Sequence, residues 1–309
     1  MKGKDKVIII AGPTASGKTD ISIRLARVFD GEIISADSMQ IYKHMDVGTA
    51  KIKRDEMNGI KHHMIDIIEP DQNYSVAEFQ NECRSIIKDI TSSNKLPFIV
   101  GGTGLYIHSI IKDVDFTQTS KDDSFRRCMN DIPTDALYNI LSDKDPVSAE
   151  RINRNDKKRI IRRLEIINSG DQSNKYDFWK DNNNYDYISI FLNPDREKLY
   201  KRIDERVDKM FSSGLIDEVR GLKDTYCEDC TSLQAIGYKE VISYLNNKEP
   251  SDINELKNQI KKNTRHYAKR QVTWFRKYNN FKWFDTNSYE NPEMLFMEIK
   301  EYIDRRLAL

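Results

Sequence analysis

No stretch of this sequence is long and apolar enough to cross a bilayer, which takes about 20 consecutive apolar residues as a helix. The longest early run, Val7-Ile8-Ile9-Ile10-Ala11, is too short for the apolar segment of a signal peptide and reads as a buried strand. No cleavage site and no Arg/Ser-rich transit segment precedes it, so the chain is expected in the cytoplasm. Cysteine is scarce, at 4 of 309 residues, and without a secretory signal the thiols are expected to stay reduced. Cys227 and Cys230 have a metal or redox spacing. No second close pair of Cys or His accompanies them, so they read as two thiols in a polar loop. None of the 5 histidines has zincin spacing, and His62-His63 reads as structural. There is no internal repeat and no long low-complexity tract, which excludes solenoids and fibrous chains. There is also almost no net charge, +1, so any attraction to nucleic acid must come from local clustering.

What is present is enough chain to bury a real core, as one large domain or two moderate ones. The first hundred residues alternate strand and helix. Strands are expected at Lys6–Ala11, Glu32–Ala36, His63–Ile67 and Leu96–Val100. Helices are expected at Lys18–Phe29, with Ile21, Leu25 and Val28 on one face, and at Ser75–Ser92, where Ser75 and Glu78 have capping-box spacing. A further helix opens at Leu105–Ile111. This alternation indicates an α/β fold, a parallel sheet flanked by helices. From residue 115 to 186 the chain turns polar, helical and strand-poor, ending in the Asn/Asp-rich stretch Asp177–Asp186. It reads as an inserted helical subdomain in a core made of 1–114 and 187–309. Strand character returns at Tyr187–Leu192. Amphipathic helices follow at Asp195–Ser213, Leu215–Lys223, Ile253–Tyr278 and Pro292–Leu307, with a short strand at Phe281–Phe284.

The strongest chemical motif is Gly12-Pro13-Thr14-Ala15-Ser16-Gly17-Lys18-Thr19, which fits G-x-x-x-x-G-K-[ST] between a strand and a helix. Its glycines let backbone N–H groups curl around phosphate oxygens, and the helix N-terminus adds favourable partial charge. Lys18 supplies a point charge and the Thr19 hydroxyl suits Mg²⁺. The loop is shared with nucleotide- and ATP-binding proteins and specifies a diphosphate or triphosphate, not hydrolysis. The second strand ends in Asp37-Ser38-Met39-Gln40. Ligands of open α/β sheets bind beyond the carboxyl ends of strands. Asp37 is therefore a candidate general base, with a turn or capping role and a Mg²⁺ role as equal alternatives. The fourth strand ends in Gly101-Gly102-Thr103-Gly104, where glycines permit close approach and Thr103 offers a hydroxyl. An ordinary P-loop ATPase often carries an Asp there, so glycines argue against that class.

Two basic clusters remain. Residues 151–165 carry Arg151, Arg154, Lys157, Lys158, Arg159, Arg162 and Arg163 against two acids. Residues 256–284 carry nine basic residues and no acid, interleaved with Tyr267, Trp274, Phe275, Tyr278, Phe281 and Trp283. Basic residues for phosphates and aromatics for unstacked bases are the composition expected for RNA loops. A solvated helix face over core aromatics is the plainer alternative. A small-molecule or nucleoside kinase, with Asp37 as base for a hydroxyl, explains residues 1–110 equally well but leaves the basic segment and the insertion unexplained.

These blocks in this order resemble the tRNA dimethylallyltransferase (tRNA isopentenyltransferase) family. The blocks are Gly12–Thr19, Asp37–Tyr42, Gly48-Thr49-Ala50-Lys51, His62–Asp66, Tyr74–Phe79, Gly101–Tyr106, Asn155–Glu165, Ile236–Glu240 and Ala268–Phe275. The chain shows no C-terminal zinc-finger extension of the eukaryotic members, so the resemblance is to the bacterial type. It implies transfer of a dimethylallyl group from dimethylallyl diphosphate to N6 of the adenosine just 3′ of the anticodon in tRNA, by a monomer using Mg²⁺. It further implies Asp37 as base and Thr103 as orienter of the amine, with Lys18, Thr19 and Arg220 at the leaving diphosphate. The implied tRNA contacts are Asp37, Ser38, Met39, Gln40, Thr103, Arg126, Lys158, Arg159, Ile160, Ile161, Arg162, Gln234, Gly237, Tyr238, Lys239, Lys269, Arg270, Gln271, Trp274 and Arg276.

Overall fold

Side chains alternate sides along a strand, so an unbroken apolar run suits a strand covered on both faces. The structure, a computed structural model that describes residues 4–112, 114, 122–170 and 180–308, puts the Val7–Ala11 run in such a strand. Val7 and Ile9 face one helical layer, Ile8 and Ile10 the other. The chain runs through β1 (Asp5–Ala11), α1 (Lys18–Val28), β2 (Gly31–Ala36), β3 (His62–His63), α2 (Val76–Ser92), β4 (Leu96–Gly101) and α3 (Gly104–Ile111). An insertion carries α4 (Asp123–Asn130), α5 (Thr134–Lys144), α6 (Pro146–Arg151) and α7 (Lys157–Asn168). The chain then returns through β5 (Tyr185–Asn193), α8 (Arg196–Ser212), α9 (Leu215–Thr225), α10 (Tyr238–Leu245), α11 (Ile253–Phe275), β6 (Lys282–Asp285) and α12 (Pro292–Leu307).

The strands form one parallel sheet in the order β3-β2-β4-β1-β5-β6. Helices α2 and α3 cover one face through Phe79, Cys83, Ile87, Ile107 and Ile110. Helices α1 and α12 cover the other through Ile21, Leu25, Ile299 and Ile303. A third cluster joins α8, α9, α10 and the first half of α11 to Ile41, Tyr42 and Met45. This is the sheet wrapped by helices that the sequence pattern predicts. Helix α2 starts as its capping box requires: the Ser75 hydroxyl accepts the Glu78 N–H and Glu78 accepts the Ser75 N–H.

The third strand is shorter than the expected His63–Ile67. Met64 and Asp66 take left-handed φ values of 64° and 54°, which turn the chain off the ladder after His63. Val28, expected on the apolar face of α1, is the helix's last residue and is 48% exposed.

The insertion is a compact unit of its own, Asp113–Lys180, within a core of Met1–Lys112 and Asp181–Leu309. The return strand starts at Tyr185, before the expected 187, because Tyr185 and Asp186 pair with Asp5 and Lys6. Part of the Asn/Asp-rich stretch lies outside the described residues. The inserted unit packs Leu137, Leu141, Ile160, Ile161 and Leu164 together. Beside them Glu165 is only 3% exposed. Its burial would raise its pKa, but hydrogen bonds from Arg126 and Arg162 outweigh that and hold it down at about 2.

Ala36, Gly101 and Ala11 lie side by side across β2, β4 and β1. A Cβ on Gly101 would fall 2.2 Å from the Ala36 carbonyl oxygen, so only glycine lets the strands end in this register. Gly101→Ala is expected to destabilise the protein by about 1–3 kcal/mol through overpacking, read as a lower urea midpoint with an unchanged m-value.

Candidate active site

The residues that follow Ala11, Ala36 and Gly101 build the floor of one cleft. After β1 the chain reverses into α1 with Ala15 at φ 62° and Gly17 at φ 86°, the alternation with left-handed backbone that makes anion-binding concavities. The N-terminus of α1 adds its dipole. Lys18, first residue of α1, folds back and donates from Nζ to the Pro13 carbonyl at 2.7 Å. Burial, then the positive charge of Arg206, pull its pKa from about 10.5 to about 7, against the opposing pull of Asp37. Thr19 stands exposed in the first turn of α1 and lines the cleft.

After β2, Asp37 Oδ1 accepts the Met39 N–H at 2.9 Å, an Asx turn that fixes the carboxylate's orientation. The turn after β4 lies against it. Thr103 Oγ1 accepts the Ser38 N–H at 3.1 Å, and the Thr103 N–H donates to the Ala36 carbonyl at 3.2 Å. The remaining wall comes from 45–51 and the helices α8 to α11. Glu218 accepts three successive N–H groups, from Asp46, Val47 and Gly48, and the Tyr238 hydroxyl at 2.7 Å. That fixes the loop whose Thr49 carbonyl accepts from the Arg206 guanidinium at 3.0 Å. The cleft has a volume of about 900 Å³, and Lys18, Asp37, Arg206, Lys239, Tyr267 and Arg270 all line it. Tyr267 stays protonated, pushed up to about 12 by burial and then by the Asp37 charge.

The structure therefore brings together Thr14, Lys18, Thr19, the Asp37–Gln40 turn, Gln234, Gly237, Lys239, Arg270 and Gln271 on one cleft. Gly12, Pro13 and Ser16 are buried beneath it, and Lys269 and Arg276 are exposed on and after α11. Several expected roles change. Arg220 does not reach the cleft: its side chain is 53% exposed and paired with Asp217. Arg206 occupies the place foreseen for it. Tyr238 is fully buried, its ring filling the space beside Gly48, so it supports the wall and does not meet RNA. Gln271 is buried with both ends of its amide bonded to protein. Trp274 packs edge-on against Gly104, half-buried. In the insertion, Ile160 and Ile161 are core residues, and Arg126 and Arg162 are held by Glu165, while Lys158 and Arg159 are exposed. Arg206 was legible in principle. It stands seven residues after Leu199 on the apolar stripe of α8, where a charge has no business unless something needs it.

Comparison with known proteins bears on this arrangement. A family model for IPP transferase matches residues 40–278. The chain belongs to the IPP transferase family. Relatives of this transferase include the tRNA dimethylallyltransferases of Bacillus mycoides and Anoxybacillus flavithermus. Both are 46% identical to it, over 99% and 97% of this chain respectively and 96% of the relative in each case. Among solved structures, the full-length tRNA isopentenylpyrophosphate transferase from Bacillus halodurans superposes with a TM-score of 0.76. It is 41% identical and the match covers 99% of this chain and 97% of that one. A eukaryotic dimethylallyltransferase, solved acting on tRNA, gives a TM-score of 0.82 at 29% identity over 98% of this chain and 80% of its own.

The different placements of the two arginines predict different effects on binding. Arg206→Met is expected to weaken inorganic diphosphate binding about 10- to 100-fold, the value of a charge-assisted hydrogen bond of about 1.5–3 kcal/mol. Arg220→Ala should leave it within about twofold, since an exposed ion pair contributes little. Calorimetric titration of both variants checks the pair.

Proposed function

We propose that this transferase moves a dimethylallyl group from dimethylallyl diphosphate to N6 of the adenosine immediately 3′ of the anticodon in tRNA, releasing diphosphate. The observation that carries the reading is one cleft joining a cationic phosphate cradle, Lys18 and Arg206, to an oriented carboxylate, Asp37. The N6–C1 bond forms as the C1–O bond to diphosphate breaks, and the N6 proton passes to Asp37. An amine conjugated to an aromatic ring is a weak nucleophile, so placement and proton removal are what the site must supply. The leaving group gains negative charge, which a preorganised cradle favours. The target base must leave its stack to reach a recessed carbon, which calls for an extended grip on the RNA. Lys239 and Arg270 in the cleft, Lys269 and Arg276 on its outer side, and Lys158 and Arg159 on the insertion are suited to phosphates.

Mg²⁺ fits as an ion brought with the substrate. Among the described residues no group of three or more His, Cys, Asp or Glu is placed to hold a metal, whereas the Thr19 hydroxyl faces the cleft. Mg²⁺ is commonly bound through few protein ligands plus phosphates, and with the diphosphate it would offset charge on the leaving oxygens. Among the described residues no helix is long and apolar enough to cross a membrane. The kinase alternative uses the same cradle but has no use for the basic segment. Label from dimethylallyl diphosphate, and not from ATP, should pass to unmodified tRNA.

Asp37→Asn is expected to slow single-turnover transfer on saturating tRNA by about 10² to 10⁴, with both substrates still bound. Partial rescue by excess Mg²⁺ would assign Asp37 to the metal, and a near-native rate would remove it from catalysis. A second outcome follows from Lys18. Its pKa of about 7 in the free protein must rise when a diphosphate settles against it. Between about pH 7 and 10 binding then takes up a proton, so affinity falls as pH rises. Calorimetry at pH 8 in buffers of different ionisation enthalpy should show uptake that Lys18→Met abolishes.

A further inference from the structure

The two halves of the proposed reaction lie on different loops. The leaving diphosphate would rest on residues 12–19 after β1, and the attacking amine would be met by Asp37 and Thr103 after β2 and β4. A displacement needs these halves at a fixed separation, because the attacking nitrogen, the carbon and the leaving oxygen must line up. One side chain spans them. Gln271 of α11 is 6% exposed, and its Oε1 accepts the Thr14 N–H of the phosphate loop at 2.9 Å. Its Nε2 donates to the Gly102 carbonyl, one residue before Thr103, also at 2.9 Å. The fit leaves no slack: a Cβ on Gly102 would lie 2.1 Å from that nitrogen. One helical turn earlier, Tyr267 reaches the same place, its hydroxyl lying near the side chains of Thr103 and Gln271.

We infer that Gln271 is a positioning residue, tying the phosphate loop to the Gly102-Thr103 turn so that the leaving-group cradle and the site of N6 attack keep one spacing. The inference rests on the transfer reaction proposed above. It reassigns a residue of the basic helix from RNA contact to internal alignment. Each end of its amide is already bonded within the protein and the side chain is almost wholly buried, so its main commitment is to the two loops. The pairing of Ala11 with Gly101 sets the strand register but stops short of the loops beyond it.

The test uses Gln271→Met, which keeps length and removes both polar ends, and Gln271→Glu, which keeps the acceptor for Thr14 but turns a carboxylate oxygen toward the Gly102 carbonyl. With tRNA and dimethylallyl diphosphate saturating, single-turnover transfer should fall about 10- to 100-fold in both variants. The Kd for tRNA should stay within about twofold of wild type, with an unchanged salt dependence. A rate within twofold of wild type in either folded variant overturns the inference. So does a loss of tRNA affinity that matches the loss of rate, which would return Gln271 to the RNA interface. A second readout does not depend on transfer. Inorganic diphosphate bound to the wild-type protein should slow amide hydrogen exchange at 101–104 as well as in the phosphate loop. In Gln271→Met the protection should stay confined to the phosphate loop, and equal protection of 101–104 in both proteins overturns the inference. A wild-type protein that fails to prenylate tRNA yet shows this exchange coupling would reject the proposed reaction and keep the clamp.

Discussion

Everything that gathers at this site depends on three parallel strands ending at one level. Ala36, Gly101 and Ala11 pair across β2, β4 and β1, so the next residue of each strand leaves the sheet at the same height. Those three exits are the Asp37 turn, the Gly102-Thr103 turn and the phosphate loop. In a parallel sheet such a coincidence needs no special folding of the loops, because all carboxyl ends share one edge. It does need the strands to approach closely at that edge, which the missing side chain at 101 permits. Pairing and site are thus one constraint: a change in register would move Asp37 away from the loop after β1 before any side chain of the cleft was altered.

The electrostatics of the cleft follow from that crowding. Arg206 and Asp37 both act on the Lys18 ammonium, and Asp37 acts on the Arg206 guanidinium as well. Burial lowers the pKa of both cations, while the Asp37 charge opposes the change in each. A site with two cations and one carboxylate carries a surplus positive charge held out of full solvation, a standing cost to the free protein. An incoming diphosphate removes that cost. The site therefore favours the multiply charged anion over a neutral ligand of similar shape, and it favours the product-side charge distribution, in which the diphosphate has left with a full share of negative charge. Glu218 contributes at one remove. By gathering the N–H groups of 46–48 it sets the Thr49 carbonyl that orients Arg206.

Much of this was legible from residue order. The phosphate loop, the Asp37 turn and the glycine-rich end of β4 are local patterns whose geometry is dictated by their own backbones, and each falls where strand and helix periodicity places it. The α2 capping box and the apolar stripes of α2 and α8 are of the same kind. What sequence missed is non-local. Nothing near Met64 or Asp66 announces a left-handed φ, so β3 was drawn too long. Arg206 and Arg220 lie on neighbouring helices, both beside apolar residues. Arg206 alone carried a local signal, its place on the apolar stripe of α8, and the packing of α8 against α11 with the pairing of Arg220 to Asp217 completes the choice. Arg126 and Arg162 read as free cations until Glu165, buried among Ile160, Ile161 and Leu164, claims them.

Helix α11 shows why composition alone misassigns such residues. Its basic, aromatic-rich sequence fits an RNA-binding face, and its exposed side does present Lys269, Arg270 and, just beyond its end, Arg276. Yet a helix advances about 100° per residue, so residues adjacent in sequence serve different neighbours. Tyr267 and Gln271, one turn apart, point about 40° from each other and reach the loops of the sheet edge, while Lys269 points to nearly the opposite side. Leu256, Ile260, Ala268 and Phe275 continue the inward stripe and fix the helix against the core. A single segment thus holds exposed positive charge on its outer side and loop-directed hydrogen bonds on its inner side. Docking of a polyanion on the outer side would load the same rigid element that spaces the two loops. The alignment of the reacting groups and the grip on the substrate then share one mechanical part.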